Sequence, residues 1–405
     1  MPLGNTPTAY GAVTKTFHWL IALGIFAALP LGYFAHDLAY QVQNPEIATN
    51  EAQVARAALL FSLHKTIGLM VFFVALARIL WALSQPKPGL LNGDTVLESR
   101  LAEVVHWLLY GSLVAVPLSG WIHHASTTGF APIWWPFGQS LPFVPKDEGV
   151  AQITATLHFL LQWVLVGALA LHILGALKHH VFDRDATLRR MLPGYTPAHP
   201  TDKQPGHGLP LLGALAVWAV VLGGANALGW FKVEATQSAP AQSLATVESD
   251  WTVQDGTLEI TVVQMGSEVS GSFADWTAQI AYDETAENPK GDVTVTVSIP
   301  SLTLGSVTDQ AMGPEYFNAE AHPTATFTAD IIEADGHIAQ GTLTIKDQSV
   351  PVDLPFDLTI EGDTATATGG LTVDRRNFNI GGEATDSLAA SVDIQFTLTA
   401  TRNTP

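Results

Sequence analysis

Four histidines stand inside strongly apolar runs, where an unpaired polar side chain is costly. Two of them, His158 and His172, bracket "LHFLLQWVLVGALALH". On a helix they are close to four turns apart, so they share a face and stand about 21 Å apart along the axis. His18 opens the first apolar run of the chain and His64 opens the second. Consecutive spans run in opposite directions, so depth matches His64 with His158 and His18 with His172. Two imidazole pairs, one in each leaflet of a four-helix bundle, are what two six-coordinate b-type haems require, because each iron takes a nitrogen from either face of the porphyrin. Gly68 and Gly175, about one turn beyond His64 and His172, would let a macrocycle approach the backbone. The same residues have two other uses: hydrogen bonding across packed helices, or binding zinc. Four histidines at matched depths weigh against the first, and separation into two levels weighs against the second.

The elements that must position these groups are five apolar runs at about 17–35, 59–83, 103–124, 153–177 and 209–231. Each is long enough to cross a bilayer, which needs roughly 17 to 25 residues. The first resembles a signal peptide in hydropathy, yet it carries His18, Trp19 and Tyr33 and ends in no small-x-small cleavage pattern, so it is expected to be a retained helix. Arg78 and Lys87 end the second run, Arg100 precedes the third, and Lys178, Arg184, Arg189 and Arg190 follow the fourth. By the positive-inside rule these segments are cytoplasmic. The connections 36–58 and 125–152 carry Asp37, Glu46, Glu51, Asp147 and Glu148 against Arg56 and Lys146, and "FAPIWWPFG" suits a headgroup belt. The expected orientation therefore has the N-terminus in the cytoplasm and everything after Lys232 in the periplasm of a bacterial inner membrane.

Composition supports two kinds of domain. The chain is 47% hydrophobic and 14% charged, with a mean hydropathy of +0.24, too apolar for an average soluble protein and too polar for a pure membrane bundle. The net charge of −19 sits almost wholly after Gln237, where few cations face many acids; that excludes the clustered basic surface nucleic-acid binding needs. With no cysteine, the chain has no disulfides, no thiolate metal site and no covalent haem attachment.

"TFHWL" (16–20), "LHKTIGL" (63–69), the third span from "HWLLY" to "PLSGW", and the stretch from "LHFLLQW" to "DRDATLRRMLP" (157–193) resemble the bacterial cytochrome b561 family of di-haem four-helix membrane proteins. The resemblance covers roughly residues 8 to 193. It implies two non-covalent haems b ligated by His18, His64, His158 and His172, and electron exchange with ubiquinone; some members are superoxide oxidases that pass electrons to quinone. Lys65 and Arg78 are candidates to neutralise haem propionates, or else snorkelling anchors. His106, His123 and His124, at the ends of the third span, either shape a quinone mouth or are solvated at the interface. His179 and His180 are expected to belong only to the basic cytoplasmic edge, and nothing is assigned to His199 or His207.

After "ATQSAPAQS" the hydrophobic period changes from helical to two. "DVTVTVSIP", "VDLPFDLTI" and "ASVDIQFTL" alternate apolar with polar residues, and "EADGH" and "EGDT" mark turns. Eight or more strands are expected, closed as an antiparallel barrel, with a sandwich as the other solution. "GPEYFNAEAHPTATFTADI", "GTLTIKDQSVPVDLPF" and "RRNFNIGG" resemble the YceI-like family of lipocalin-shaped isoprenoid binders, over about 246 to 402. That resemblance implies an apolar tunnel for an isoprenoid tail, with a quinone's as the candidate. Phe327, Phe356 and Phe378 are candidate lipid contacts or ordinary core, and His322 before Pro323 is expected to shape a turn.

The expected organisation is an all-α transmembrane four-helix di-haem bundle (1–193), a cytoplasmic connector with a fifth transmembrane helix (194–236), a linker (237–245), and an all-β lipocalin-like barrel (246–405). The expected function is quinone-linked electron transfer by two bis-histidine haems, with superoxide as a candidate donor and the barrel holding quinone or another polyisoprenoid. The alternative is an isoprenoid carrier or redox sensor, anchored in the lipid bilayer, without turnover.

Overall fold

The computed structural model describes residues 2–43, 51–127, 131–204, 206–233, 244, 249–264, 267–334, 336–383, 385 and 388–403. Glu46, Asp335 and almost all of the expected linker lie outside the described residues. Contacts divide the chain into two compact units, residues 1–34, 60–127 and 133–234 in the first and 35–59, 128–132 and 235–405 in the second.

Five helices are long and apolar enough to cross a membrane: α1 Ala12–Gln43, α2 Glu51–Leu83, α3 Val96–Ser126, α4 Glu148–Lys178 and α5 Gly208–Ala227. The first four have 31 to 33 residues each and outrun the apolar stretches that mark them. The reason is local. Flanks such as "EAQVARAALL" are rich in strong helix formers and contain no breaker, so the helix continues past the hydrocarbon-length segment. Asp147 caps α4 by accepting a hydrogen bond from the Val150 N–H at 2.8 Å. At its other end α4 runs into a π-helical turn, His179–Asp183, and stops at Arg184 in the left-handed region.

Within the first unit, Ile21 and Ile25 of α1, Val71 and Ala75 of α2, and Leu113 of α3 form one apolar cluster, with Leu169 of α4 against it. A second cluster joins Val105 and Leu108 of α3 to Ala168 of α4 and Ala214 of α5. Gly111 leaves room on α3 for the Trp218 ring of α5, which a β-carbon there would strike. Buried Glu103 ties the connectors to α3, accepting from Lys87 Nζ at 2.8 Å and pairing with His207 Nδ1 at 2.7 Å. His207 thus has a structural partner that spacing gave no reason to assign.

The β-rich part of the second unit is one curled antiparallel sheet of ten strands: β1 Trp251–Gln264, β2 Ser267–Phe273, β3 Trp276–Tyr282, β4 Gly291–Ser298, β5 Leu302–Thr303, β6 Thr324–Ala334, β7 Gly336–Ile345, β8 Gln348–Glu361, β9 Thr364–Asp374 and β10 Leu388–Arg402. Their order is β3-β4-β6-β7-β8-β9-β10-β1-β2-β5. A short helix, α6 Thr308–Met312, precedes β6. The sheet curls until β3 meets the start of β1: the Asp250 N–H donates to Ile280 O at 3.1 Å and Trp251 Nε1 to Tyr282 O at 3.3 Å. Alternation is strictest in β8, where every second residue is exposed, as a sheet with one apolar and one wet face demands. Lys346 and Asp347 both take positive φ at the β7–β8 turn, and Gly362 does so at β8–β9. His322 sits in a turn, its N–H donating to Asn318 O at 2.9 Å.

Candidate functional site

His64 of α2 and His158 of α4 face each other with ring centroids 6.2 Å apart. Each ring is fixed from behind. His64 Nδ1 lies 2.8 Å from the Ala28 carbonyl of α1, and His158 Nδ1 lies 2.8 Å from the Val116 carbonyl of α3. A carbonyl can only accept, so both Nδ1 atoms carry the proton and both Nε2 atoms keep a free lone pair. This is how a metal-ligating histidine is held: its second nitrogen donates to a fixed acceptor, which sets tautomer and orientation. An ion bonded to one nitrogen of each ring at about 2 Å needs centroids roughly 6 Å apart, close to the separation seen.

The second pair meets the same spacing. His18 of α1 and His172 of α4 have centroids 6.1 Å apart. His106 of α3 lies closer still, 5.2 Å from His172. Helix α3 begins at Val96, so His106 stands nearly three turns inside the helix although it lies at the start of the apolar run. His123 and His124 do lie in the last turn of α3, where His123 Nδ1 meets Ala151 O at 2.9 Å. His179 is also more than a basic edge. It is buried, with Nδ1 2.6 Å from Asp185 Oδ2.

Space and charge complete the test of fit. A β-carbon at Gly68 or Gly175 would meet no protein atom within 4 Å, so a planar macrocycle can approach there. The Arg78 guanidinium lies 5.6 Å over the Tyr110 ring and makes no ion pair among the described residues. Lys65 is 7% exposed, 5.9 Å over Phe61. Sequence reasoning missed a third cation. Arg190 is 4% exposed; its guanidinium lies 5.2 Å over the Tyr10 ring and its Nη1 donates to Gly89 O at 2.9 Å, while Nε and Nη2 are buried with no hydrogen-bond partner among the described residues. The next residue, Met191, accepts from Trp19 Nε1 at 2.8 Å, which puts Arg190 beside the helix turn that carries His18. A buried guanidinium with two unmet donors calls for an anion, and porphyrin carboxylates supply that chemistry.

Two glycines were missed as well. A β-carbon at Gly32 would come within 2.8 Å of His64 Nδ1, and one at Gly120 within 2.9 Å of His158 Nδ1. Each lies four residues after the carbonyl that its histidine uses, so the bare backbone forms the seat. The signal was present as an internal repeat. "HWL" occurs at 18–20 and at 106–108, followed after the same interval by Gly32 and Gly120, with Pro30 and Pro117 just before them. His64 and "RILWAL" (78–83) likewise match His158 and "HILGAL" (172–177). In this alignment His106 corresponds to His18, and Arg78 to His172.

In the sheet unit, one apolar cavity runs the length of the curl, lined by Leu258, Ile260, Val293, Val295, Leu354 and Leu358 among others. Phe327 and Phe356 line it, and Phe378 does too while being 1% exposed in the core cluster with Ile299 and Leu302. Arg375 is buried there, but its guanidinium donates to the Ala389, Ile380, Gly382 and Leu388 carbonyls and is a structural clamp.

The model of the prokaryotic cytochrome b561 family matches residues 9–194, and that of the YceI-like domain matches residues 241–400. Cytochrome b561 homolog 2 of Escherichia coli is 32% identical over 197 residues, covering 47% of this chain and 95% of that protein. A probable superoxide oxidase of Yersinia pestis is 30% identical over 132 residues, 32% of this chain and 73% of that protein. A UPF0312 protein of Pectobacterium atrosepticum is 31% identical over 170 residues, 39% of this chain and 86% of that protein.

Proposed function

The chain belongs to the prokaryotic cytochrome b561 family, a family of haem-b membrane electron carriers, and joins to it a YceI-like domain; from that premise we propose that it is an oxidoreductase passing electrons between two haems b and an isoprenoid quinone. His64 with His158, and His18 with His172, would hold the two irons. The carrying observation is that two imidazole pairs at different depths share one spacing, 6.2 and 6.1 Å. The haems, when bound, supply one-electron chemistry. With protein nitrogens on both faces of each iron, relay is favoured over oxygen binding.

The chain's own groups orient and neutralise. The Ala28 and Val116 carbonyls hold the protons on His64 and His158 Nδ1, so that Nε2 stays a ligand. Arg78 and Arg190 take propionate charge at the His18–His172 level, and Lys65 does so near His64. The barrel holds the isoprenoid tail of the quinone in its apolar cavity, on the periplasmic side of a bacterial inner membrane, as the distribution of Lys and Arg supports. The named superoxide oxidase among the relatives supports superoxide as a donor.

Stopped-flow spectroscopy of the purified, haem-loaded chain in nanodiscs tests this. Quinol, or superoxide generated in situ, is expected to reduce the haems within the mixing experiment, and ubiquinone to reoxidise them. Haems inert to quinol, quinone and superoxide alike would overturn the proposal and leave the barrel as an isoprenoid carrier on a membrane anchor.

A further inference from the structure

We propose that the barrel reads a headgroup as well as a tail: a linear polyisoprenoid lies in the cavity with a hydroxyl at its head donating to the amide oxygen of Gln264. The inference rests on the reading of the barrel as an isoprenoid binder and adds a polar subsite and a direction to it.

The inward register of β1 runs Leu258, Ile260, Val262 and then Gln264, so an apolar stripe ends on an amide. Gln264 lines the cavity, is 6% exposed, and its Oε1 has no partner among the described residues. Burying an amide without a hydrogen bond is costly, and such a group in a native fold asks for an explanation. An apolar core residue of the same volume would fill the position without that penalty. The unmet atom is an acceptor, so it can meet a hydroxyl but gains nothing from a quinone carbonyl or a hydrocarbon.

Arg375, Gln310, Tyr316, Tyr282 and Trp251 of the cavity wall are already engaged. At the same end, where Gln264 pairs across the sheet with Leu388, Arg375 is spent on backbone carbonyls, and Gln310 Nε2 donates to Tyr316 Oη at 2.8 Å. At the far end, Tyr282 Oη and His337 Nε2 are 3.1 Å apart and Trp251 Nε1 donates to Tyr282 O. An unmet partner therefore awaits a ligand's head at Gln264, and the tail runs toward Trp251 and Tyr282. β1 runs 14 residues from Trp251 to Gln264, a span of about 43 Å at 3.3 Å per step, ample length for a chain of several isoprene units.

The test uses the full detergent-solubilised chain and native mass spectrometry with three probes: solanesol, which ends in a hydroxyl; ubiquinone-9, which carries a quinone on a tail of the same length; and head-free squalene. Gln264→Leu is expected to weaken solanesol about tenfold, the worth of one buried hydrogen bond, and to leave ubiquinone-9, whose carbonyls only accept, and head-free squalene unchanged. In the unmodified protein, solanesol bearing a photoreactive diazirine at its head is expected to label the segments around Val262–Gln264 and Gln310–Tyr316. Solanesol that binds Gln264→Leu as tightly as the parent, an equal loss for ubiquinone-9, or labels confined to the segments around Trp251 and Tyr282 would overturn the hydroxyl subsite while leaving the barrel a tail binder. Failure of all three probes to bind the parent overturns the barrel reading itself.

Discussion

Replacing Gly120 by alanine isolates the seat of one histidine. The new β-carbon would lie 2.9 Å from His158 Nδ1 and 3.0 Å from Cε1, where carbon contacts ordinarily settle at about 3.5–4.0 Å. The ring must retreat by roughly 0.5–1 Å. Its 2.8 Å bond to the Val116 carbonyl then stretches beyond the usual N–H···O range. Gly32→Ala does the same to His64, with contacts of 2.7 and 2.8 Å and the Ala28 carbonyl lost. Loss of an orienting partner lowers metal affinity about 10- to 100-fold, which is about 1.4–2.7 kcal/mol. Alanine also favours a helix over glycine by about 1 kcal/mol, so general unfolding is not expected. Each variant should therefore keep its fold and lose haem from one centre alone. Haem-to-protein ratio by pyridine haemochrome, and the rate of haem transfer to apomyoglobin, report this directly. Gly68→Ala and Gly175→Ala serve as a counter-test: their β-carbons meet no protein atom, so haem lost from them marks a macrocycle lying over the glycine. Full haem content and parental transfer rates in both Gly32→Ala and Gly120→Ala would refute the seating argument.

His64→Ala and His158→Ala should abolish the same low-spin electron paramagnetic resonance signal, and His18→Ala and His172→Ala the other; a signal shared by His64 and His172 would contradict the pairing. Arg190→Gln, which removes charge from a group with two unmet buried donors, should lower the midpoint potential of the His18–His172 haem in a redox titration, and an unmoved potential would remove Arg190 from the propionate assignment. In the barrel, Arg376 beside Asp374 holds that carboxyl down at about 2, through hydrogen bonds from the Arg376 side chain and N–H. A depressed carboxylate contributes stability that is present above its ordinary range near 3.8 and lost as pH falls toward 2. Asp374→Asn should therefore speed amide hydrogen exchange over residues 374–378 at pH 7, and the difference from the parent should shrink as the pH is lowered toward 2; a gap independent of pH would exclude the ionic contribution. Phe378→Ala, which empties a side chain 1% exposed, should cost about 3–5 kcal/mol, far more than Phe356→Ala in the cavity wall, as read by thermal unfolding.

What could be read along the chain was whatever is local or periodic. Apolar runs of bilayer length located five helices, and alternation in "DVTVTVSIP" and "VDLPFDLTI" located strands. The depth of a histidine followed from counting residues along a span at fixed rise, because helix geometry turns sequence distance into height. The resemblances added the expected cofactor and ligand. Helix ends were less legible, since strong helix formers carry α1 to α4 past the apolar stretches, and the 5.2 Å approach of His106 to His172 was not foreseen. Only the tertiary structure decided which faces meet. That Gly32 seats His64 and Gly120 seats His158 depends on how closely α1 approaches α2 and α3 approaches α4, and neither distance is written in either helix alone. The repeat of "HWL" hinted at equivalence but not at contact. Arg190 and Gln264 looked like an ordinary cation in a basic loop and an ordinary polar strand end. Packing made them otherwise, because an unmet donor or acceptor acquires its cost only when the surrounding chain takes away its water.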